Sequence, residues 1–205
     1  FVSTKFVGIS KSYLSWEDLY YLKQNGATIG NHTHSHAHLV RRGDNEIEAE
    51  WLARVESEII TAKEILNTNG HNSGVFAYPY GEYNKEVRDI IRKLGMIGFG
   101  QQSGAIGPDS DPLILPRFPL AGAYTGIQAL KDKLGSLAMP LETRYQPPLI
   151  TENLSPTLLL EFTDPSIRVE NVNCFGPGGI MEVSRTSNTE ILIKPKQELP
   201  VGRSR

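Results

Sequence analysis

Gly26-Ala27-Thr28-Ile29-Gly30-Asn31-His32-Thr33-His34-Ser35-His36-Ala37-His38 is the stretch on which the reading of this chain turns. Asn25-Gly26 is a helix-stop signal, Ala27 to Asn31 reads as a short strand, and four of the chain's five histidines then fall within seven residues. Imidazole is the commonest protein ligand for zinc and similar metals, because its neutral nitrogen is a borderline-soft donor. Histidines four apart share one face of a helical turn, and histidines two apart share one face of a strand, so spacing alone admits several ligand pairs. The cluster follows a strand directly, and strand ends are where α/β domains build their sites. The competing interpretation is a solvated, histidine-rich loop. An expression tag does not fit an internal, alternating cluster.

Working outward, residues 1–7 read as a buried strand, and Ser15-Trp16-Glu17-Asp18 opens a helix with a capping-box pattern. Downstream, Ile47, Trp51, Val55, Ile59, Ala62 and Leu66 recur at three- and four-residue steps, predicting a long helix over about 45–66 with one apolar stripe. Val75 to Tyr78 predicts a strand ending at Pro79. Asn84 caps a helix carrying Val87, Ile90, Ile91 and Leu94, and Gly95 ends it. Short strands are expected at 96–100 and 113–115, and a short helix at 127–134. Strands alternating with helices predict an α/β domain with parallel strands. After about Met139 the texture changes: prolines interrupt β-rich runs at 158–162, 167–172, 180–183 and 191–193. We therefore expect two parts, residues 1–138 and a small β-rich C-terminal module over 139–205.

Bulk properties exclude more than they assign. Net charge is -2 over 205 residues, which makes no electrostatic case for nucleic acid or an anionic membrane surface. No apolar run approaches the roughly 20 residues of a membrane helix. Cys174 is the single cysteine, so no disulfide closes within the chain.

Two further segments qualify as chemistry. Phe76-Ala77-Tyr78-Pro79-Tyr80-Gly81 is an aromatic–Pro–aromatic–Gly turn after a strand. Proline fixes φ and glycine frees it, so such a turn can aim a backbone N–H, and its rings can stack on a sugar. Leu115-Pro116-Arg117 offers a lone arginine, by itself an ordinary surface cation.

Read together, these segments resemble the NodB-homology polysaccharide deacetylases, carbohydrate esterase family four, over roughly residues 1–135. The Ala-Tyr-Pro-Tyr-Gly form and the Leu-Pro-Arg look most like the branch acting on poly-N-acetylglucosamine. The resemblance implies a parallel (β/α) barrel, distorted or incomplete, and metal-dependent hydrolysis of N-acetyl groups on an N-acetylglucosamine-containing polysaccharide. It implies His32 and His36 as ligands of a divalent metal, with zinc expected, and His34 and His38 as bystanders. It implies the Tyr80 backbone N–H as oxyanion donor, and Tyr78, Pro79 and Tyr80 as substrate-binding. It also implies a secreted or cell-envelope location. The family's third-motif arginine would fall at Ala77, and Arg117 is the expected substitute for orienting the catalytic base. The family's Thr-Phe-Asp-Asp motif, source of that base and of a third ligand, is absent, and no Asp-Asp pair exists in the chain. It is expected in sequence preceding Phe1. His71, after the helix end at Asn69-Gly70, reads as a loop residue without a role. Two other readings remain open: a catalytically inactive relative that binds glycan or metal, and a histidine-rich metal-binding protein on an unrelated fold. The C-terminal module, with Tyr145, Phe162 and Phe175 as its sparse aromatics, is expected to brace rather than to bind sugar.

Overall fold

The computed structural model describes residues 1–142, 153–177 and 179–201. The chain divides into two compact units, Phe1–Ile106 with Asp111–Gly135, and Gly107–Ser110 with Ser136–Arg205.

The first unit is mixed α/β. Strand β1 (Val75–Ala77) pairs in parallel with β2 (Ile97–Phe99). Single parallel bridges extend this pair on both sides: Val2 to Asn31, Asn31 to Phe76, and Phe99 to Leu115. Five segments thus lie side by side in chain order, all parallel. The first three connections each carry a helix, α1 (Trp16–Gln24), α2 (Glu48–Thr68) and α3 (Lys85–Lys93), as parallel pairing requires of a crossover.

Helix boundaries follow local chemistry. At α1, Ser15 Oγ accepts the Asp18 N–H at 3.1 Å and Asp18 accepts the Ser15 N–H at 2.8 Å, a complete capping box. At α3, Asn84 Oδ1 accepts the Val87 N–H at 3.0 Å. The stripe Trp51, Val55, Ile59, Ala62 and Leu66 is buried as its period predicts. Ile47, expected as its first member, lies outside α2 and is exposed. Trp51, Val55 and Ile59 join Leu39, Phe76, Tyr78, Val87, Ile91, Met96 and Leu113 in the main core. Helix α4 (Ile127–Leu134) buries no residue.

The strands are shorter than the sequence suggested. The expected strand over 1–7 is reduced to Val2, and Thr4–Phe6 is a 3-10 turn. Here the chain follows the histidine loop instead of a straight ladder: the Thr4 and Lys5 N–H groups donate to the carbonyls of Thr33 and His34. The expected strands at 27–31 and 113–115 shrink to Asn31 and Leu115.

In the second unit, β3 (Leu158–Glu161), β7 (Glu190–Lys194) and β6 (Glu182–Arg185) form an antiparallel sheet in the order β3-β7-β6. A hairpin pairs β4 (Phe175–Gly176) with β5 (Gly179–Ile180). Phe162, Val169, Ile191 and Ile193 make its core. The run at 167–172, expected as β, holds a 3-10 turn at Val169–Asn171, its Val169 buried and its Glu170 exposed, so apolar content there marks core and not strand. Tyr145 lies outside the described residues.

Candidate active site

Because the segments are parallel, everything that follows a bridge residue lies at one end of the sheet. Residues 32–38, 78–82 and 116–117 follow Asn31, Ala77 and Leu115, so the three segments singled out from the sequence meet at the C-terminal end of the strands.

Asn31 builds the histidine loop. Its side chain, 1% exposed, donates to the Ile59 carbonyl of α2 at 2.9 Å and accepts the Thr33 N–H at 2.8 Å. Thr33 and His36 both take left-handed backbone conformations, φ 64 and 61. Residues with a side chain rarely hold this region, and it costs of order 1 kcal/mol or more each. Local bonds offset that cost: Thr33 Oγ1 accepts the His36 N–H at 3.0 Å, and Glu58 on α2 accepts both the N–H and the hydroxyl of Ser35 at 2.8 Å.

His32 Nδ1 lies 2.7 Å from the Ala77 carbonyl oxygen. A carbonyl only accepts, so Nδ1 carries the proton and Nε2 keeps its lone pair. Burial pushes the His32 pKa down to about 4; the Ala77 hydrogen bond opposes this, and the charges of His36 and Arg117 add to the fall. The ring is therefore neutral at pH 7, the state in which imidazole can bind a metal. The rings of His32 and His36 meet edge to face, centroids 4.7 Å apart. His34 points elsewhere, its Nδ1 2.9 Å from Thr4 Oγ1. Among the described residues, no group of three His, Cys, Asp or Glu side chains is arranged to hold a metal ion.

The aromatic turn begins at buried Pro79. Tyr80 adopts φ 57, ψ 0, and the Gly81 N–H closes on the Tyr78 carbonyl at 3.0 Å. Among the described residues no acceptor takes the Tyr80 N–H. The Tyr80 ring stands edge to face with His36 at 4.6 Å and lies flat on His38 at 3.8 Å and 9°. Tyr78 corrects the sequence reading. Its ring is fully buried and its hydroxyl donates to the Leu113 carbonyl at 2.8 Å, so it is a core residue and no sugar can stack on it. One face of Tyr80 is likewise covered by His38.

Arg117 sits two residues past Leu115. Its N–H donates to the Gln102 carbonyl at 3.0 Å, and its charge reaches His32. Sequence reasoning missed three parts of this site. Asn31 was only the residue before a histidine. The acceptor on Ala77 is backbone, which carries no sequence signature. His38 donates from Nδ1 to Glu82 at 2.9 Å, a pairing across 44 positions that no local pattern displays.

A parallel α/β sheet with an imidazole pair at the C-terminal ends of its strands defines a class before it defines a protein. Residues 1–98 match the model of the polysaccharide deacetylase family. Solved structures of similar fold include a deacetylase from Streptococcus pyogenes, PplD, in complex with acetate, at 23% identity and TM-score 0.50 over 57% of this chain and 49% of that one. IcaB from Ammonifex degensii is similar at 20% identity and TM-score 0.53, over 65% of this chain and 60% of that one. A polysaccharide deacetylase from Bacillus cereus is similar at 18% identity and TM-score 0.54, over 65% and 40%. The chain thus spans between two fifths and three fifths of the length of these three. Among the described residues, no helix is long and apolar enough to cross a membrane.

Proposed function

We propose that this chain is part of a metal-dependent deacetylase that hydrolyses N-acetyl groups on an N-acetylglucosamine-containing polysaccharide, and that its five parallel segments belong to a (β/α) barrel. The observation that carries the reading is the His32 tautomer: a neutral ring, its Nδ1–H fixed on the Ala77 carbonyl, presenting Nε2 beside the ring of His36. Ligating histidines characteristically give their other N–H to a carbonyl or carboxylate. His32 and His36 would hold a divalent metal, zinc by donor chemistry; two imidazoles fit such an ion, and no third ligand lies with them among the described residues. When bound, that ion polarises an amide carbonyl and lowers the pKa of water.

The chain's own contribution is positional. The Ala77 carbonyl keeps His32 in one tautomer and one orientation. The Tyr80 N–H, which no described residue accepts, would donate to the oxyanion that develops as the acetamide carbonyl is attacked, and such a donor is worth about 3 kcal/mol. Arg117, whose charge reaches His32, would hold a carboxylate base in register. Pro79 fixes the turn. Residues 139–205 are read as a bracing module, with Phe162 buried in its own core.

The test is metal content by elemental analysis together with acetate release from N-acetylglucosamine oligomers, on the intact gene product beside this 205-residue chain. One equivalent of metal with acetate release supports the proposal, and Arg117→Ala then lowers turnover. Metal or glycan binding without acetate release from any N-acetylated polymer moves the reading to a non-catalytic relative, which the lack of a third ligand beside His32 and His36 among the described residues leaves open.

A further inference from the structure

We propose that Glu82 and His38 are positioning residues that hold Tyr80 in its left-handed backbone conformation, and thereby aim the Tyr80 N–H. The inference rests on the deacetylase reading for what the N–H is aimed at, and on geometry alone for the clamp itself.

A tyrosine at φ 57 persists only where its surroundings over-determine it. Pro79 before it and the Gly81-to-Tyr78 hydrogen bond after it set the turn, but neither holds the side chain. The ring is held by stacking on His38 at 3.8 Å and 9°, with His36 edge-on at 4.6 Å. Stacked rings so close leave the Tyr80 side chain, and with it χ1 and the backbone, little freedom.

His38 needs its own anchor, and the turn supplies it. Glu82 lies two residues beyond Tyr80, and its N–H donates to the Pro79 carbonyl at 3.1 Å. Its Oε2 accepts from His38 Nδ1 at 2.9 Å, and its Oε1 accepts from Arg41 at 3.0 Å. The contacts close on themselves: turn to Glu82, Glu82 to His38, His38 to Tyr80, Tyr80 back to the turn. Burial raises the Glu82 pKa, but the hydrogen bonds from His38 and Arg41 outweigh it and hold the carboxyl below its usual range. Glu82 is therefore ionised at pH 7, and the bond to His38 is charge-assisted. An ordinary loop reading gives no reason for a histidine to lie flat on the tyrosine whose carboxylate neighbour holds it.

The test compares His38→Ala, His38→Phe and Glu82→Gln in the full chain. Two readouts are taken: the backbone and Cβ chemical shifts of Tyr80, which report its φ, and the kinetics of acetate release. His38→Ala should move the Tyr80 shifts out of the left-handed range and lower kcat by about 10-fold or more, short of the 100- to 1,000-fold for losing an oxyanion donor outright. KM should hold, because the oxyanion exists only in the transition state. His38→Phe keeps a flat ring but loses the Glu82 anchor, so its Tyr80 shifts and kcat should fall between His38→Ala and the parent. Glu82→Gln, whose amide oxygen can still accept from Nδ1, should lie closer to the parent. Metal content should match the parent in all three.

Unchanged Tyr80 shifts in His38→Ala would overturn the clamp. So would a folded His38→Phe in which Tyr80 is displaced as far as in His38→Ala. Loss of metal in step with kcat would show that the pair supports the ligands and not the donor, and would overturn it too. If the intact gene product releases no acetate, the deacetylase reading fails by itself, and the Tyr80 shifts alone decide the clamp.

Discussion

His32, half-buried, and His71, buried, both have pKa values driven down first by burial, yet they stand at opposite ends of the same sheet. His32 follows Asn31 and lies past the C-terminal ends of the strands. His71 precedes β1, beside Ala27–Ile29, which precede Asn31, so it lies at the N-terminal ends. At the first end polar groups are paired with purpose: Nδ1 on a carbonyl, Nε2 left with a lone pair, left-handed residues at Thr33, His36 and Tyr80. At the other end the ring is 3% exposed, stacks on Trp16 at 6.1 Å, and neither nitrogen has a partner among the described residues. The His71 backbone N–H closes the end of α2 on the Leu66 carbonyl at 2.8 Å. The difference is that between a site and a plug. In parallel α/β sheets ligand sites gather beyond the carboxyl ends of the strands.

The largest effect should come from breaking the first end. His32→Ala is expected to abolish tight metal binding and lower acetate release by at least about 100-fold, since even outer partners of metal ligands cost 10- to 100-fold. Its melting temperature should change far less than its activity. Elemental analysis and calorimetry on one preparation check both, and equal metal content in parent and variant would remove His32 from the site.

Acid titration sharpens the comparison. Unfolded histidine titrates near 6.5, and His32 in the fold near 4. Between these values the unfolded chain binds the proton and the folded one does not, so metal-free protein should be fully stable above pH 6.5 and lose stability as pH falls towards 4. The His32 share is about 3 kcal/mol at most. His71, also depressed, adds loss of the same sign. Urea midpoints at pH 7 and pH 4.5, in parent, His32→Gln and His71→Phe, should show the steepest acid loss in the parent.

What the sequence made legible follows from how local the cause was. The capping box at Ser15, the Asn84 cap and the stripe from Trp51 to Leu66 are short-range patterns, and they stand where the pattern puts them. The histidine loop was legible as chemistry because four imidazoles crowd seven residues. The strands were legible in position but not in length, because a bridge such as Val2 to Asn31 depends on what the chain does next, and there Thr4 and Lys5 turn to follow the loop. Tyr78 and Tyr80, the two rings flanking Pro79 in the expected turn, read alike as substrate-binding. The turn at Pro79 puts Tyr78 under Leu113 and Tyr80 against His38 instead. Burial of one aromatic over another is decided by residues 35 positions away, which no window of sequence contains.

That correction is itself testable. Tyr78→Phe removes the buried hydroxyl that serves the Leu113 carbonyl. Stability should fall by about 1 kcal/mol, with the carbonyl left unpaired, while glycan affinity stays where it was. A loss of affinity without loss of stability would return Tyr78 to the substrate.

The smallest effect carries the sharpest sign. His71→Phe keeps an aromatic ring against Trp16 and leaves the bond from the residue 71 N–H to Leu66 in place, since that bond is backbone. It removes two buried nitrogens that have no partner among the described residues. A buried polar group without a hydrogen bond costs of order 1–3 kcal/mol, and an apolar replacement of similar shape relieves it. The variant should therefore gain about 1 kcal/mol with acetate release unchanged, because residue 71 stands at the end of the sheet remote from Tyr80 and His32. A loss of stability of that size instead would mean that the His71 nitrogens are satisfied, and that the N-terminal end, like the C-terminal one, has been built around its histidine.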